Sequence, residues 1–147
     1  MGTIRRLRHQ IESGMPSGLA AYEVSSIAMP GDDDDYYCTP DLVVLPDSWD
    51  CDDEWLADPA DVELAVEVIS RSEKARDITG KNGWYAAAGV RTLLVLDPRF
   101  GTWQLFREPA AGRYPEPLTG AYGGTISLPA PIACTLDTAC LPLYERR

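Results

Sequence analysis

One stretch limits the possible folds more than any other, "DVELAVEVISRSEKARDITGKNGWYAAAGVRTLLVLD" at residues 61–97. Its first part, "VELAVEVIS", is a continuous run of apolar residues, which is typical of a strand covered on both faces. "RTLLVLDP" is a second run of this kind, and the segment between them has the character of a helix. Strand, helix and strand in this order predict a parallel pair of strands in an α/β domain.

The helix of this unit has recognisable ends. Ser70 and Glu73 form the S-x-x-E pattern of a capping box, which predicts a helix that starts at Ser70. Gly89 is a good C-terminal residue, so the helix is expected to end just before it. Gly80 and Gly83 each destabilise a helix interior by about 1 kcal/mol relative to Ala. They indicate either a close packing neighbour or a helix that starts later than the cap predicts.

The remaining segments predict further elements of one sheet and its cover. Residues 4–12 have the apolar spacing of an amphipathic helix. Residues 47–61 are acidic and aromatic, and indicate a loop with at most a helical turn. The C-terminal tail is rich in Pro and predicts short extended pieces with at most a final helical turn. Strands are predicted in "GLAAYEVSSIAM", in "PDLVVLP" and in "TWQLFRE", the last as a hairpin partner of "RTLLVLDP".

The length and composition suit a single domain over residues 1–147. No run of about 18 apolar residues occurs, and the N-terminus has no apolar signal segment, so we expect a cytoplasmic protein without a membrane span. The four cysteines lack C-x-x-C spacing and a histidine cluster, which argues against zinc and favours reduced, packed thiols. Proximity of Cys134 and Cys140 stays open, and a homodimer is a possible assembly.

The charge is large and unevenly distributed. The net charge of −10 argues against a nucleic-acid partner, because phosphate binding relies on Lys and Arg. However, the fourteen acidic residues between Asp32 and Glu67 have no Lys or Arg among them, and basic residues follow at once. These basic residues are Arg71, Lys74, Arg76 and Lys81. Acidic and basic regions are therefore separated along the chain.

Several common kinds of active site are excluded by the residues present. His9 is the one histidine and there is no G-x-S-x-G elbow, so a serine-histidine triad is poorly supported. The "GKN" at Gly80 lacks the spacing of a phosphate-binding P-loop. What remains is a small set of carboxylates on predicted strands, with one lysine nearby.

Asp41 opens one predicted buried strand, and Glu67 lies near the end of another. If the two strands are neighbours, both carboxylates could join an oxygen-ligand site for Mg²⁺, completed by water and a backbone carbonyl. The alternative is that Asp41 is a turn residue and Glu67 faces solvent at a sheet edge. The residues alone favour this alternative, because isolated motif matches have a high false-positive rate.

Two features of the helix also have ordinary explanations. Lys81 follows Asp77 by four residues, and such a pair is usually a solvated surface contact worth about 0.3–0.5 kcal/mol. Trp84 and Tyr85 are explained as the core face of the helix. Neither feature by itself indicates chemistry.

The order of motifs resembles a known family. "TPDLVVLP" followed by "LAVEVISRSEKARDITGKNGWYAAAGVRTLLVLDP" resembles the Uma-two family of restriction endonuclease-like proteins, formerly a domain of unknown function, within the PD-(D/E)XK nuclease superfamily. The family pattern is Pro-Asp and an apolar strand, then E-V-x-S, D-x-x-x-K, Y-x-x-x-G-V, and an apolar strand ending in Asp-Pro. The match is specific over roughly residues 39–107.

The resemblance implies a restriction-endonuclease-like α/β core, with a mixed central sheet flanked by helices. It also implies metal-dependent hydrolysis of nucleic acid, with DNA favoured over RNA as the substrate. By position it implies that Asp41 and Glu67 are catalytic ligands of Mg²⁺ or Mn²⁺. The usual lysine, two residues after the Glu, is replaced by Ile69. The resemblance implies that Lys81 stands in for it as a catalytic residue, with Asp77 in support.

One departure from the family supports rival interpretations. Relatives have more N-terminal sequence with an acidic residue near the first helix, so we expect a domain shortened there, with Glu12 as a substitute that cannot be aligned firmly. The rival function is a catalytically inactive nuclease-fold module that binds partners or mimics DNA, motivated by the net charge of −10. A third is a structural or dimerisation domain with surface carboxylates.

Overall fold

The computed structural model describes residues 2–23, 25–30, 37–51 and 55–145. The acidic run at 32–35 and residues 52–54 of the acidic loop lie outside this part. Two helices and eleven strands are described in it. The helices are α1 (Gly2–Gly14) and α2 (Ala75–Ala88). The strands are β1 (Leu19–Tyr22), β2 (Ser26–Ala28), β3 (Tyr37–Cys38), β4 (Leu42–Pro46), β5 (Leu56–Ala57), β6 (Leu64–Val68), β7 (Thr92–Asp97), β8 (Thr102–Arg107), β9 (Leu118–Ala121), β10 (Thr125–Ser127) and β11 (Thr135–Asp137).

The main sheet has six strands in the order β1-β4-β6-β7-β8-β9. The β6 and β7 strands are parallel and are joined through α2, as the strand–helix–strand pattern predicts. Their other neighbours are antiparallel, including β4 beside β6 and the β7–β8 hairpin. The mixed α/β sheet predicted from the sequence is therefore confirmed. The segment predicted as one strand before residue 30 forms two, β1 in the main sheet and β2 in a small sheet with β3 and β5.

Each face of the main sheet is covered by one helix, because the strand side chains alternate between the faces. Leu42, Val44, Leu64 and Val66 face α1, whose Leu7 and Ile11 are fully buried against them together with the C-terminal segment. Val43, Ala65 and Val95 face α2, whose Tyr85 is fully buried. Both faces of β6 are thus covered, which explains its continuous apolar sequence.

The α2 helix begins at Ala75, later than the capping pattern predicts. The Glu73 side chain still accepts a hydrogen bond from the Ser70 N–H at 3.2 Å, but this bond closes a turn ahead of the helix. Gly89, with φ of 85°, ends the helix as predicted. A Cβ atom at Gly80 or Gly83 would have no neighbour within 4 Å. The prediction of a later helix start is therefore confirmed, and the prediction of a close packing neighbour at Gly80 and Gly83 is wrong.

The C-terminal part packs short strands and turns onto the α1 face of the sheet. The β10 and β11 strands pair with each other, and Ile126 and Leu136 bury their side chains against the sheet. Within the described part of the chain no helix follows α2, and none is long and apolar enough to cross a membrane. Cys38, Cys134 and Cys140 are free thiols.

Two glycines are expected to respond to substitution with opposite signs. Gly80→Ala should raise the free energy of unfolding by about 1 kcal/mol, because Ala is the better helix former and the added methyl group meets open space. Gly120→Ala should lower it by about 1–3 kcal/mol, because the added Cβ would overlap the indole ring of Trp103. Urea unfolding followed by circular dichroism measures both. Loss of stability in Gly80→Ala would mean that this face of α2 is covered.

Candidate active site

A buried carboxylate occupies the end of the central strand β6. Glu67 is two residues from both Ala65 and Ile69, so its side chain lies on the same side of the sheet as theirs and faces α2. Only 8% of its surface is exposed. The Tyr85 hydroxyl donates a hydrogen bond to its Oε1 at 2.8 Å, and the Lys81 Nζ lies 3.6 Å from its Oε2. The alternative in which Glu67 faces solvent is wrong. A charged group in this position needs the partners that α2 supplies.

Burial dominates the electrostatics of Glu67. It raises the pKa of this carboxyl to about 6, since water no longer solvates the charged form. The Tyr85 hydrogen bond and the Lys81 charge act in the opposite direction, and the nearby Asp41 and Glu73 raise the pKa further. The site therefore retains excess negative charge, which an additional cation would stabilise.

Asp41 fixes the β6 backbone on both sides of Glu67. It lies just before β4, the antiparallel neighbour of β6. Its own N–H donates to the Val66 carbonyl at 3.0 Å, and its Oδ2 accepts from the Val68 N–H at 2.7 Å. The condition set by the sequence, that the strands of Asp41 and Glu67 are neighbours, is fulfilled. The side chain of Asp41 is exposed, so it stands at the open side of the site.

Lys81 points from α2 toward the strand. Its Nζ lies 3.1 Å from Glu73 Oε2 as well as 3.6 Å from Glu67 Oε2. Partial burial lowers the pKa of Lys81, but the two carboxylates outweigh this effect and raise it above its usual value. Asp77 is exposed and pairs with Arg76 at 3.7 Å. The ordinary surface pair of Lys81 with Asp77 is therefore replaced by contacts across the site.

Two members of this cluster were missed by the sequence reasoning. The sequence predicts Tyr85 as a core residue, which is correct for its ring, but its hydroxyl donates a hydrogen bond to Glu67. Its position four residues after Lys81 puts both side chains on one face of α2, and this signal could have identified it. Glu73 was assigned to the helix cap, and in the structure it binds both the Ser70 N–H and Lys81.

The C-terminal segment closes one edge of the site. The Tyr144 hydroxyl donates to the Ile69 carbonyl at 2.7 Å, and the Arg71 guanidinium lies 5.0 Å from the Tyr144 ring centroid. Arg71 also donates to the Glu145 carbonyl at 2.7 Å. These contacts order the chain directly after Glu67. The Ile69 side chain, two residues after Glu67, is buried in the same apolar cluster as Tyr85.

Cys38 and Glu12 do not contribute reactive groups to the site. Burial and the nearby Glu67 raise the pKa of the Cys38 thiol to about 11, which keeps it protonated and unreactive near neutral pH. Glu12 pairs with Arg8 at 3.0 Å on α1, which covers the opposite face of the sheet.

The donor set fits a hard divalent cation with few protein ligands. Within the described residues no group of three His, Cys, Asp or Glu side chains is arranged to hold a metal. Asp41 Oδ1 accepts no hydrogen bond from that part of the chain, and Glu67 Oε2 has the Lys81 ammonium group 3.6 Å away. Mg²⁺ commonly binds one or two carboxylates and completes its shell with water and substrate phosphates. Two carboxylates that repel each other suit this pattern.

Comparison with known proteins identifies the family and the fold. The model of the Uma2 family, described as "Putative restriction endonuclease", matches residues 4–139. The chain belongs to the Uma2 family. A search of curated proteins gave no match. Among solved structures, the chain is similar to "a putative nuclease belonging to DUF820 from Anabaena variabilis", with a TM-score of 0.71 and 15% identity, over 93% of this chain and 76% of that chain.

These comparisons confirm two predictions. The resemblance to the Uma2 family is confirmed by the match over nearly the whole chain. The nuclease-like α/β fold is confirmed by the similar structure, whose low identity makes it evidence for the fold alone. The roles of Asp41, Glu67, Lys81 and Asp77 stay predictions.

Glu67→Gln is expected to make the metal-free protein more stable at neutral pH. The folded-state pKa of about 6 exceeds the ordinary value of 4.5, so wild type loses stability as pH rises between these values. Gln carries no charge and avoids this loss, which corresponds to about 1–2 kcal/mol. Urea unfolding of both proteins in EDTA, from about pH 4 to about pH 7, measures the difference. A stability difference that stays constant with pH would contradict the raised pKa.

Proposed function

We propose that this Uma2 protein is a divalent-cation-dependent endonuclease that hydrolyses phosphodiester bonds of nucleic acid, with DNA as the preferred substrate. The observation that carries the proposal is the 3.6 Å approach of Lys81, from a helix, to Glu67, from the central strand. A buried carboxylate, a second carboxylate beside it and a directed ammonium group together suit phosphate chemistry. A cytoplasmic location and a homodimer belong to the same proposal and come from the sequence.

Asp41 and Glu67 would hold the cation, Mg²⁺ or Mn²⁺. When bound, a divalent cation supplies Lewis acidity at a phosphate oxygen and lowers the pKa of a water molecule. Asp41 contributes from the exposed side, where a substrate can approach. Glu67 contributes from the buried side, where Tyr85 fixes its Oε1 and leaves Oε2 directed toward Lys81.

Lys81 would stabilise the negative charge that develops on the phosphate, or orient the attacking water. An ammonium group on a flexible stem can reach this point from a helix as well as from a strand, which accounts for the absence of a lysine at Ile69. Glu73 holds Lys81 in place at 3.1 Å. Because carboxylates surround it, Lys81 remains positively charged at neutral pH.

A second candidate is a catalytically inactive module that binds partners or mimics DNA. The net charge of −10 favours it, since a nuclease must approach a polyanion. The basic groups Arg71 and Arg99 favour the nuclease, because Arg99 donates to the carbonyl of Glu73, the residue that contacts Lys81, and Arg71 lies over the Tyr144 ring. An activity assay separates the two functions.

With Mg²⁺ or Mn²⁺ present, we expect the protein to cut nucleic acid. Glu67→Gln and Lys81→Ala should each lower the cleavage rate by about 100-fold or more. Cleavage is measured on single- and double-stranded DNA and RNA by gel electrophoresis, with EDTA as the blank. Asp77→Ala is the matched variant on the same helix, and a supporting role predicts a loss of only a few-fold. No cleavage of any substrate, or full activity in both site variants, would contradict the proposal.

A relocated lysine controls for damage to the fold. Ile69 is two residues after Glu67, directly after the end of β6, and packs in the same cluster as Ala65, so Ile69→Lys places an ammonium group at the usual superfamily position. In a Lys81→Ala background we expect this change to restore part of the cleavage. If Ile69→Lys restores nothing in a folded protein, Lys81 acts in some way other than by placing a charge beside Glu67.

A further inference from the structure

A second concavity lies beside the candidate active site, between α2, β8 and the turn at residues 110–117. We call it the α2–β8 groove. It has a volume of about 410 Å³, which lies in the range of small-molecule sites. Nothing in the proposed cleavage mechanism uses it. Its floor is open because small residues form it, namely Gly83, Ala86 and Gly112.

One wall of the groove is aromatic. The rings of Phe106 and Tyr114 lie with their centroids 5.3 Å apart and their planes at 39°. The Tyr114 hydroxyl donates to the Val90 carbonyl at 2.7 Å, which fixes this ring in place. A fixed aromatic wall with a satisfied hydroxyl offers a surface on which another flat ring can stack.

The other walls carry polar groups with unused hydrogen-bonding capacity. Asn82 and Gln104 present side-chain amides, and Arg113 presents a guanidinium group. Across the described part of the chain, none of these three side chains has a hydrogen bond or ion pair. Amides and guanidinium groups beside aromatic rings are the groups that recognise the edges of unpaired nucleobases.

The groove adjoins the pocket that is lined by Glu67 and Lys81. Ile78 and Asn82 line both concavities. In the sheet, Glu67 pairs with Val95, and Val95 pairs with Gln104. Adjacent strands are about 4.8 Å apart, so Gln104 lies roughly 10 Å from Glu67 on the same face. A nucleotide chain with a phosphate at Lys81 could therefore extend a neighbouring base into the groove.

We propose that the α2–β8 groove binds one unstacked nucleobase of the nucleic-acid substrate, stacked on Phe106 and Tyr114 and hydrogen-bonded by Gln104, Asn82 and Arg113. This inference rests on the proposed nuclease function, since it places the base next to the phosphate to be cut. The site would recognise a single-stranded or locally unpaired nucleotide.

Two leucine substitutions on one helix test the groove. Gly83 lines it and Gly80 does not, yet both are exposed positions of α2 with open space around them. Both variants should fold and melt at or above the wild-type temperature, because Leu is the better helix former. Gly83→Leu fills the groove and should weaken nucleotide binding by at least about tenfold. Gly80→Leu should bind like wild type.

Binding is measured by NMR titration with the four 2′-deoxynucleoside 5′-monophosphates in EDTA, so that it does not depend on cleavage. Binding of at least one nucleotide, lost in Gly83→Leu alone, is the expected result. Cleavage by wild type without nucleotide binding at the groove would overturn this inference and leave the proposed function intact. Nucleotide binding at the groove without cleavage would overturn the function instead. A wild-type dimer that Gly83→Leu disrupts, without nucleotide binding, would assign the groove to a second copy.

Discussion

The main physical constraint on this fold is a carboxylate that lies inside the covered face of a central strand. Glu67 lies between Ala65 and Ile69 on a face otherwise filled by apolar side chains. Such a charge is costly to bury unless it is paired. Tyr85, Lys81 and Glu73 form its surroundings, and all three are supplied by α2 or the turn before it. The parallel β6–α2–β7 unit is what brings them together.

This arrangement lowers stability and suits the proposed function. The compensation by α2 is incomplete, since the pKa of Glu67 remains raised to about 6. A protein selected for stability alone would place an apolar residue here. Residual negative charge at an opening toward solvent, beside a directed lysine, is what a cation and a phosphate require. The burial that makes the charge of Glu67 costly is therefore also what suits Glu67 to its proposed role as a cation ligand.

The sequence was informative wherever structure is encoded locally. Continuous apolar runs predicted β4, β6 and β7, and Gly89 predicted the end of α2, because strand burial and helix termination depend on neighbouring residues. Prediction from the sequence fails where a side chain has more than one available hydrogen-bond or ion-pair partner. Glu73 satisfies the predicted Ser70 contact without starting a helix. Lys81 could pair with Asp77 one turn away, yet it contacts Glu67 on a strand.

The candidate site was reached from the sequence by resemblance more than by pattern. Asp41, Glu67 and Lys81 were implied by family motifs, while periodicity favoured the ordinary explanations. Tyr85 was hidden because a tyrosine in a core and a tyrosine that binds a carboxylate have the same sequence pattern. Long-range pairing, such as Asp41 bonding to the backbone on both sides of Glu67, is set by the β4–β6 register and has no local signature.

In the proposed mechanism, Asp41 and Glu67 form a cation site with which the Lys81 ammonium group competes. Isothermal titration of the protein with Mn²⁺ in the absence of nucleic acid tests it directly. We expect one Mn²⁺ site in wild type and at least about tenfold weaker binding in Asp41→Asn and Glu67→Gln. Binding should be tighter in Lys81→Met, because a competing positive charge is removed from Glu67. Equal Mn²⁺ affinity in all four proteins, or weaker binding in Lys81→Met, would contradict it.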